Sequence, residues 1–303
     1  MKKILVTGGT TFVSKYTAQY FANKGYDTYV LNRGSKPQVE GVTLLKGDRH
    51  ELGSLLKSHT FDAVLDITSY NGNDINDLLG GLGQFDTYIF ISSSAVYPET
   101  EPQPFEESSK LSVNKFWGKY GTDKIEAEKT LLDKVPNAYI LRPPYLYGPM
   151  NNVYREAFVF DCAMNDRKFC LPGDGSMKLQ FFHVEDLCKL MEIIINNNPD
   201  EHILNVGNSD SITIRDWVTK CYASLGKTPM FVNIPGDIEQ RQYFSFYNYE
   251  YALDITKMLS ILPDTIDLNE GLAQCAEWYK DNEAEVRKKP FFDFIDNNFK
   301  DLI

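Results

Sequence analysis

Two residues that could transfer a proton together, Tyr120 and Lys124, stand four positions apart. They begin an amphipathic segment that continues through Ile125, Ala127 and Leu131, and residues four apart lie on one face of a helix. A lysine ammonium beside a phenol stabilises the phenolate, which lowers the phenol pKa. The phenol can then exchange a proton with a substrate hydroxyl or carbonyl while a hydride moves to or from a nicotinamide. The spacing therefore indicates a hydride-transfer site.

On its own, Tyr-x-x-x-Lys is common on helices and is weak evidence for catalysis. Two features upstream strengthen it. The segment Ser92 to Ser94 follows an apolar run that predicts a buried strand, and Gly8-Gly9 follows the first apolar run of the chain. Serines after a strand more often serve as turn and cap residues, so they support catalysis only together with the other two features.

These residues would be positioned by alternating strands and helices. The apolar runs that predict strands are Ile4 to Val6, Tyr29 to Leu31, Val42 to Leu45, Phe61 to Ile67, Thr87 to Ile91 and Ala138 to Leu141. The helical patterns between them are Tyr16 to Ala22, Glu51 to Ser58, Asp74 to Leu82 and the segment that begins at Tyr120. The alternation predicts an α/β fold with a Rossmann-type doubly wound parallel sheet, in which ligands bind outside the carboxyl ends of the strands.

The glycine turn after the first strand predicts a phosphate site. Such a turn places backbone N–H groups at a helix N-terminus, where the helix dipole and the unpaired donors favour a phosphate or pyrophosphate. A dinucleotide is the ligand expected in a unit of this kind. The residues that we expect to contact it are Gly8, Thr10, Thr11, Phe12 and Val13.

The end of the second strand, Asn32-Arg33, lies where dinucleotide folds recognise the adenosine ribose. An acid here accepts from the 2′-hydroxyl of NAD, whereas an arginine accommodates the 2′-phosphate of NADP. No acid is present, so the expected cofactor is NAD or NADP with a lean to NADP. Arg33 could equally be a solvated turn residue. Asp48, after the third strand, could contact the edge of the adenine.

At these motifs the sequence resembles the extended short-chain dehydrogenase/reductases, the family of NAD-dependent epimerases and dehydratases. The matching segments are Val6 to Thr10, Ser92 to Tyr97, Tyr120-x-x-x-Lys124, Leu141 to Pro143 with Tyr147 to Pro149, and His183 to Leu187. The resemblance implies that Ser93 orients the substrate oxygen, that Tyr120 transfers the proton, and that Lys124 also contacts the nicotinamide ribose. It further implies that Pro143 lines the nicotinamide pocket.

The chain departs from the family pattern at two places. The glycine turn of the family reads Thr-Gly-x-x-Gly-x-x-Gly, and Thr11 and Ser14 replace its second and third glycines. Nucleotide-sugar epimerases usually carry an arginine just before the Phe-x-His-Val segment, where this chain has Leu179 and Gln180. The neighbouring Lys178 cannot reproduce the planar fork with which arginine holds a diphosphate. The implied substrate is a sugar or a nucleotide-sugar-like molecule.

A narrower resemblance points to the stem-loop-binding branch of the family, found in chloroplasts, and to its bacterial relatives. Its segments are Gly8 to Phe12, Gly47 to His50, Asp66 to Tyr70 and Met177 to Val184. Members of that branch are linked to RNA binding. This resemblance implies an alternative function, an RNA-binding protein on the same fold with weak or no catalysis. A cofactor-binding redox regulator without turnover is a third hypothesis.

The pattern predicts two regions. We expect a dinucleotide-binding domain at 1–150, to which 176–207 returns, and a substrate-binding region at 151–175 and 208–303. The family resemblance also implies a homodimer formed through Lys115 to Val135 and Asp74 to Leu82.

Composition limits the classes of protein that remain. An apolar content of 43% is enough for a full core, and a net charge of −11 argues against sequence-blind nucleic-acid binding. The five cysteines are scattered without metal-ligand spacing, so we expect reduced, mostly buried thiols and no metal site. Gly8 interrupts the first apolar run, and no run approaches about 18 residues. We therefore expect no signal peptide, no membrane partner and a cytoplasmic location.

Overall fold

The computed structural model describes residues 1–300 and Leu302. The strands are β1 (Lys3–Thr7), β2 (Asp27–Asn32), β3 (Val42–Lys46), β4 (Thr60–Asp66), β5 (Gln84–Ile91), β6 (Tyr139–Arg142), β7 (Tyr145–Tyr147), β8 (Phe169–Pro172), β9 (Lys178–Leu179), β10 (Phe181–His183), β11 (Ile203–Asn205), β12 (Ile212–Thr213) and β13 (Phe231–Ile234). The α-helices are α1 (Phe12–Asn23), α2 (Gly72–Gly81), α3 (Lys119–Lys134), α4 (Glu156–Met164), α5 (Val184–Asn197), α6 (Ile214–Ala223), α7 (Thr256–Ile261), α8 (Leu268–Asn282) and α9 (Phe291–Asn298).

The chain forms two compact units. The first comprises Met1–Leu146, Phe181–Asn208 and Leu253–Thr265. The second comprises Tyr147–Gln180, Ser209–Ala252 and the chain from Ile266 onward. Each unit is therefore built from segments that are separated in the sequence.

A parallel sheet organises the first unit. Within the described residues it has seven strands in the order β11-β6-β5-β4-β1-β2-β3. The order runs in opposite directions from β1, so the switch point lies between β1 and β4, where ligands bind in sheets of this kind. The predicted Rossmann-type doubly wound sheet is confirmed. Strand β11, Ile203–Asn205, pairs with β6 at one edge of this sheet.

Apolar side chains cover both faces of the sheet, which is why its strands read as continuous apolar runs. Helices α2 and α3 share one core cluster with the sheet, whose members include Leu5, Val64, Phe90 and Ile140 from strands and Ile75, Leu78, Ala127 and Leu131 from helices. Helices α1 and α5 contact each other through Thr17 and Cys188, whose Oγ1 and Sγ atoms lie 3.5 Å apart. Burial of each large apolar side chain contributes about 2 kcal/mol.

Helix α2 begins where its sequence provides a cap. The Asn71 side chain accepts from the backbone N–H groups of Asn73 and Asp74, at 2.9 and 3.1 Å, and the Asp74 carboxylate accepts in return from the Asn71 N–H. This reciprocal capping box satisfies donors that have no partner inside the helix. The observed start at Gly72 lies two residues before the start that the apolar pattern predicts.

The helix predicted at Glu51 to Ser58 is wrong. Only a short 3-10 helix, Arg49–Glu51, forms there, and turns follow it up to β4. Gly53 has a φ of 52°, in the left-handed region that interrupts a right-handed helix. The other elements predicted in the first unit are present with shifted ends.

The second unit has small strand pairs and a helical, aromatic core. Strands β8 and β13 pair in parallel, β9 and β12 pair antiparallel, and α4, α6 and α8 pack on one another. In the core, the ring centroids of Phe169 and Phe244 lie 5.9 Å apart, and those of Trp217 and Phe246 lie 5.3 Å apart. Phe244 and Phe246, which lie in the aromatic-rich segment 240–251, are thus used in packing.

The cysteines are buried and form no disulfide: they are Cys162, Cys170, Cys188, Cys221 and Cys275. Burial raises the pKa of the Cys188 thiol to about 12, so this group stays protonated. Among the residues that the structure describes, no helix has both the length and the apolar character needed to cross a bilayer.

Candidate active site

The turn after β1 requires glycine at two positions. Gly8 and Gly9 both have a φ of 92°, which residues with a side chain rarely adopt. A Cβ atom on Gly8 would lie 2.8 Å from both Ser14 Oγ and Thr68 Cγ2, and one on Gly9 would lie 2.7 Å from Val30 Cγ1. The turn therefore holds the start of α1 tightly against the switch point of the sheet.

The start of α1 presents unpaired backbone donors. Thr11 occupies the N-cap position with extended backbone, its side chain makes no capping hydrogen bond, and no acid stands in the first turn. The first N–H groups of a helix have no partner inside the helix. Ser14, in the third glycine position, is buried, and its Oγ donates to the Thr11 carbonyl at 3.0 Å. The donors at this end suit a pyrophosphate.

The remaining residues expected at the turn lie around this helix start. Thr10 and Val13 are half-buried, and Phe12 is buried with a φ of 34°. A positive φ at a bulky residue is strained and persists only where surrounding structure enforces it. The structure therefore brings together Gly8 and the four residues predicted with it, Thr10, Thr11, Phe12 and Val13.

A cleft of about 290 Å³ opens next to the turn. It is lined by Gly8, Leu31, Asn32, Arg33, Gly47, Asp48, Arg49, His50 and Thr68. The Asn32 amide donates to the Gly8 carbonyl at 2.6 Å and accepts from the Gly34 N–H at 2.8 Å, so this side chain fixes the turn. Arg33 is exposed on the cleft wall. No acid stands at the end of β2. The cleft lies where an adenosine ribose binds in dinucleotide folds, and its lining includes side chains that can donate hydrogen bonds to one.

Asp48 and Arg49 form the other wall of the cleft. The Asp48 carboxylate accepts from the His50 N–H at 3.1 Å and so caps the 3-10 helix. The guanidinium of Arg49 donates to the hydroxyls of Ser69, at 2.6 Å, and Thr68. Arg49 thereby ties the end of β3 to the end of β4. Sequence analysis did not select Arg49, although it lies inside a motif of the narrower resemblance.

A buried polar network lies under the switch point. Thr7 Oγ1 accepts from the Ile67 and Thr68 N–H groups, at 2.9 and 3.1 Å, and donates to Asp66 Oδ1 at 2.9 Å. Asp66 is fully buried, and its Oδ2 accepts from the Tyr88 hydroxyl at 2.7 Å. Each contact joins two adjacent strands, so the network fixes the backbone on which the cleft is built.

Lys124 is held at the same edge of the sheet. Its ammonium donates to the carbonyls of Ser69 and Ile91, at 2.7 and 2.8 Å, and it is only 3% exposed. A lysine has three N–H donors, so one remains after these two hydrogen bonds. Burial lowers the pKa of Lys124 to about 8, against the opposing effect of Asp66 and Glu128.

Tyr120, one turn before Lys124 on α3, is 39% exposed. Tyr70, which sequence analysis did not select, contacts both residues. Its ring centroid lies 6.3 Å from that of Tyr120 and 5.2 Å from the Lys124 ammonium. Tyr70 is itself more than half exposed. The phenol of Tyr120 is therefore open to a substrate, on the side of the helix where the ammonium lies.

Ser93 follows β5 and lies beside the start of α3. Its Oγ accepts from the Ala95 N–H at 3.2 Å, as a cap of the short helix Ser94–Val96. Gly121 lets α3 approach this segment, because a Cβ there would overlap the Ala95 carbonyl oxygen. Pro143 is buried, and its carbonyl accepts from the Ser94 N–H at 2.9 Å. The predicted Ser93, Tyr120, Lys124 and Pro143 thus lie on segments in direct contact.

A buried ion pair ties α3 to β6. Glu128 accepts from Arg142 at Nε and Nη2, at 3.0 and 2.6 Å, and from the Ser92 hydroxyl. Arg142 also donates to the Tyr97 hydroxyl at 2.8 Å. Both charges are at most 3% exposed, and the bidentate geometry fixes β6, α3 and the Ser92 segment together.

His183 has a structural role at the start of α5. It is fully buried at the N-cap of α5, and its Nδ1 accepts from the Glu185 N–H at 3.2 Å. Burial lowers the pKa of His183 to about 4, so it is neutral near pH 7.

Comparison with known proteins agrees with this architecture. The chain matches the model of the NAD dependent epimerase/dehydratase family over residues 4–207. It is 27% identical over 298 residues to the chloroplast stem-loop binding protein of 41 kDa b from Arabidopsis thaliana, covering 89% of this chain and 77% of that protein.

Two solved structures share the fold. One is dTDP-glucose 4,6-dehydratase from Bacillus anthracis in complex with NAD, with a TM-score of 0.73, 18% identity, and coverage of 94% of this chain and 99% of that one. The other is UDP-glucuronic acid 4-epimerase from Bacillus cereus in complex with UDP-glucuronic acid and NAD, with a TM-score of 0.72, 19% identity, and coverage of 92% and 99%. By its family match, its sheet and its glycine turn, this chain belongs to the NAD-dependent epimerase/dehydratase family.

Proposed function

We propose that the protein is an NAD(P)-dependent epimerase, dehydratase or reductase that acts on a sugar or nucleotide-sugar-like substrate through Ser93, Tyr120 and Lys124. The observation that carries the proposal is the close packing of α3 against the segment after β5. Gly121 allows this approach, which sets an exposed phenol, a buried ammonium and a serine hydroxyl on adjoining segments at the carboxyl edge of the sheet.

Each side chain has a role that its surroundings support. The Tyr120 hydroxyl exchanges a proton with the reacting hydroxyl or carbonyl of the substrate, and Ser93 Oγ hydrogen-bonds the same oxygen. The fixed ammonium of Lys124 stabilises negative charge on the phenol. The nicotinamide, when bound, supplies the hydride acceptor or donor. Pro143 and the segment it supports form the wall against which the substrate is oriented.

The cofactor is bound by the turn, the start of α1 and the adjoining cleft. The unpaired N–H groups at the start of α1 take the pyrophosphate, and the cleft wall of Asn32 and Asp48 takes the adenosine. Arg33 is an exposed cation where an acid would otherwise bind the ribose of NAD. This arrangement favours NADP over NAD.

The test is turnover with a panel of UDP-, GDP- and dTDP-linked hexoses, followed by nicotinamide absorbance and by chromatography of the sugar products. Tyr120→Phe should lower kcat roughly a hundredfold or more, because it removes the transferred proton and leaves the ring in place. Tyr29→Phe, which removes a hydroxyl from β2, is the matched control and should retain full activity. Unchanged kcat in Tyr120→Phe would contradict the assigned role.

RNA binding is the second candidate function. The similarity to an Arabidopsis thaliana protein named for stem-loop binding favours it. The net charge of −11 weighs against it, because phosphate contacts need local lysine and arginine. Fluorescence anisotropy with a stem-loop RNA at two salt concentrations decides this point, since specific association should weaken as salt rises. Absence of any association would remove this candidate.

The assembly that we propose is a homodimer through the outer surfaces of α2 and α3. The two helices pack side by side: a Cβ on Gly72 would lie 2.6 Å from Thr130 Oγ1 and 2.9 Å from Glu126 Oε1. They thus form one continuous surface of the first unit. Sedimentation equilibrium gives the mass directly, and a monomer at all accessible concentrations would refute this assembly.

A further inference from the structure

The Lys124 ammonium is buried without a carboxylate in contact with it. Within residues 1–300 and Leu302 it forms no ion pair, and its hydrogen bonds go to the carbonyls of Ser69 and Ile91. Burial without a counter-charge disfavours the charged form of a lysine, and it is the main reason that the pKa of Lys124 falls to about 8. Contacts other than an ion pair therefore have to stabilise the ammonium near pH 7.

The charged groups around Lys124 are engaged with other partners. They are Asp66 on β4, Glu128 on α3, Arg49 after β3 and Asp74 on α2. Asp66 accepts from the Tyr88 hydroxyl at 2.7 Å, and Asp74 accepts from N–H groups just before α2. Glu128 pairs with Arg142 at 2.6 Å. The three acids raise the pKa of Lys124 and Arg49 lowers it, but no carboxylate of the described chain pairs with the ammonium.

Two aromatic rings lie against the ammonium instead. The ring centroid of Phe90 lies 4.6 Å from Lys124 Nζ, and that of Tyr70 lies 5.2 Å from it. The face of an aromatic ring is negative in its charge distribution and attracts an ammonium, most strongly where water is excluded. Phe90 is fully buried in the core, whereas Tyr70 is 54% exposed. Tyr70 is thus the ring that forms part of the accessible surface of the site.

The backbone of Tyr70 fixes where its ring lies. Its N–H donates to the Asp74 carboxylate at 2.7 Å, and the preceding carbonyl, that of Ser69, accepts from Lys124 at 2.7 Å. The ring also contacts the ring of Tyr120, with centroids 6.3 Å apart and planes 61° apart. One side chain therefore contacts both the ammonium and the phenol of the proposed site. Because the two backbone contacts do not use that side chain, they remain when residue 70 is substituted.

We propose that Tyr70 is a positioning residue, whose aromatic face stabilises the Lys124 ammonium beside the Tyr120 phenol. This role rests on the proposed function, since it assigns Tyr70 to the site of Tyr120 and Lys124. The attraction between ring and ammonium disappears when the lysine loses its proton, so the ring favours the charged form. Only the charged form stabilises negative charge on the phenol. The ring thereby extends to higher pH the range in which the two residues can act together.

The test is an NMR titration of Lys124 in the full chain without cofactor or substrate. The protein carries ¹³C-labelled lysine, the Cε shift is followed against pH, and Lys124→Met identifies the signal. Tyr70→Leu keeps an apolar side chain over the ammonium but removes the ring face. It should lower the pKa of Lys124 by about 1, a tenfold loss of proton affinity. Tyr70→Phe keeps the ring and should titrate as the wild type does.

Tyr29→Leu is the matched control, because the ring of Tyr29 lies 5.3 Å from a different ammonium, that of Lys3. It should leave the titration of Lys124 unchanged. Unfolding temperatures show that each variant is folded. The titration needs no turnover, so its result stays readable if the proposed function fails.

Turnover with the hexose panel gives the second readout. Relative to the wild type, Tyr70→Leu should lose about fivefold in kcat at pH 8 and almost nothing at pH 6, because its ammonium is mostly deprotonated only at the higher pH. Tyr70→Phe should restore kcat at pH 8. The proposal is overturned if Tyr70→Leu leaves the pKa of Lys124 unchanged or raises it, if Tyr70→Phe lowers this pKa equally, or if the loss of kcat in Tyr70→Leu is the same at both pH values.

Discussion

Lys124 combines a buried charge with a fixed position, and both have measurable consequences. Two backbone carbonyls hold its ammonium, and its pKa of about 8 lies below the ordinary value of 10.5. Between these values the unfolded chain binds more protons than the folded chain, so the stability that this residue provides must increase with pH. Near pH 7 the Lys124 ammonium therefore stays protonated, and its burial lowers the free energy of unfolding of the protein.

We therefore predict a pH-dependent difference between the wild type and Lys124→Met. The free energy of unfolding of the wild type, relative to the variant, should rise by on the order of 3 kcal/mol as pH increases from about 8 to about 10.5. Urea unfolding at a series of pH values measures it. Lys129→Met, which removes an exposed lysine from the same helix, controls for the loss of a helix charge. A difference that is constant with pH, or that falls, would contradict the assigned surroundings of Lys124.

Residue types and spacing were sufficient to select Tyr120, Lys124 and the glycine turn, because the chemistry constrains both. The same patterns could not reveal Tyr70 or Arg49. Tyr70 matters through contacts with two residues of α3, and Arg49 through hydroxyls that follow β4, so both depend on how distant segments meet. The sequence signals for them were their places directly after predicted strands and inside two segments of the narrower resemblance, Gly47 to His50 and Asp66 to Tyr70. The roles given to the predicted residues stay predictions.

At the scale of elements, α3 is the helix on which the site depends. Its start is pressed against the segment after β5 at Gly121, and its middle is tied to β6 by the ion pair of Glu128 and Arg142. The first contact limits how close the helix can approach, and the second ties it to β6. Each can be altered separately.

Gly121→Ala should move α3 away from the Ala95 carbonyl. Because the added methyl meets backbone and not a flexible side chain, we expect a loss of roughly 1–3 kcal/mol in the free energy of unfolding, together with reduced turnover. Gly80→Ala, in α2, is the matched control. A methyl there meets no atom of the described chain within 4 Å, so it should be neutral or stabilising by up to about 1 kcal/mol. Equal effects of the two substitutions in denaturant unfolding would show that the close approach is not needed.

Glu128→Gln should leave the guanidinium of Arg142 buried without its counter-charge. Breaking one side of a buried pair typically removes about 3–5 kcal/mol from the free energy of unfolding. Glu40→Gln, an exposed acid in the loop before β3, should change it by less than about 0.5 kcal/mol. Chemical denaturation of both variants gives the comparison. A stable Glu128→Gln protein would mean that this ion pair does not hold α3 in place.

The order and type of elements in the sheet were predictable because buried parallel strands are continuous apolar runs with helical patterns between them. The failed helix at Glu51 to Ser58 shows the limit of this reasoning. Its apolar spacing suits a helix, but Gly53 adopts a left-handed conformation and the segment is used as a turn before β4. The segment must connect β3 to β4, and the turns that make this connection do not show in the apolar pattern.

At the scale of the whole molecule, the two compact units are each assembled from separated segments of the chain. The first holds the turn, the cleft and the Ser93, Tyr120 and Lys124 side chains. A dinucleotide that binds the folded chain must stabilise the first unit, because the site does not exist in the unfolded chain. Dinucleotide binding can therefore be tested without knowing the substrate.

The most direct measurement is the free energy of unfolding with and without NAD⁺ or NADP⁺. At 100 times its dissociation constant, a ligand of the folded state adds about 2.7 kcal/mol, and we expect the larger effect at equal concentration from NADP⁺. Thr11→Asn should keep the effect, whereas Thr11→Asp should abolish it, because a carboxylate at the start of α1 repels the pyrophosphate without harming the helix cap. We predict that the dinucleotide stabilises the wild type and Thr11→Asn but does not stabilise Thr11→Asp. No stabilisation by either dinucleotide, or equal stabilisation of Thr11→Asp, would show that the start of α1 does not bind a dinucleotide.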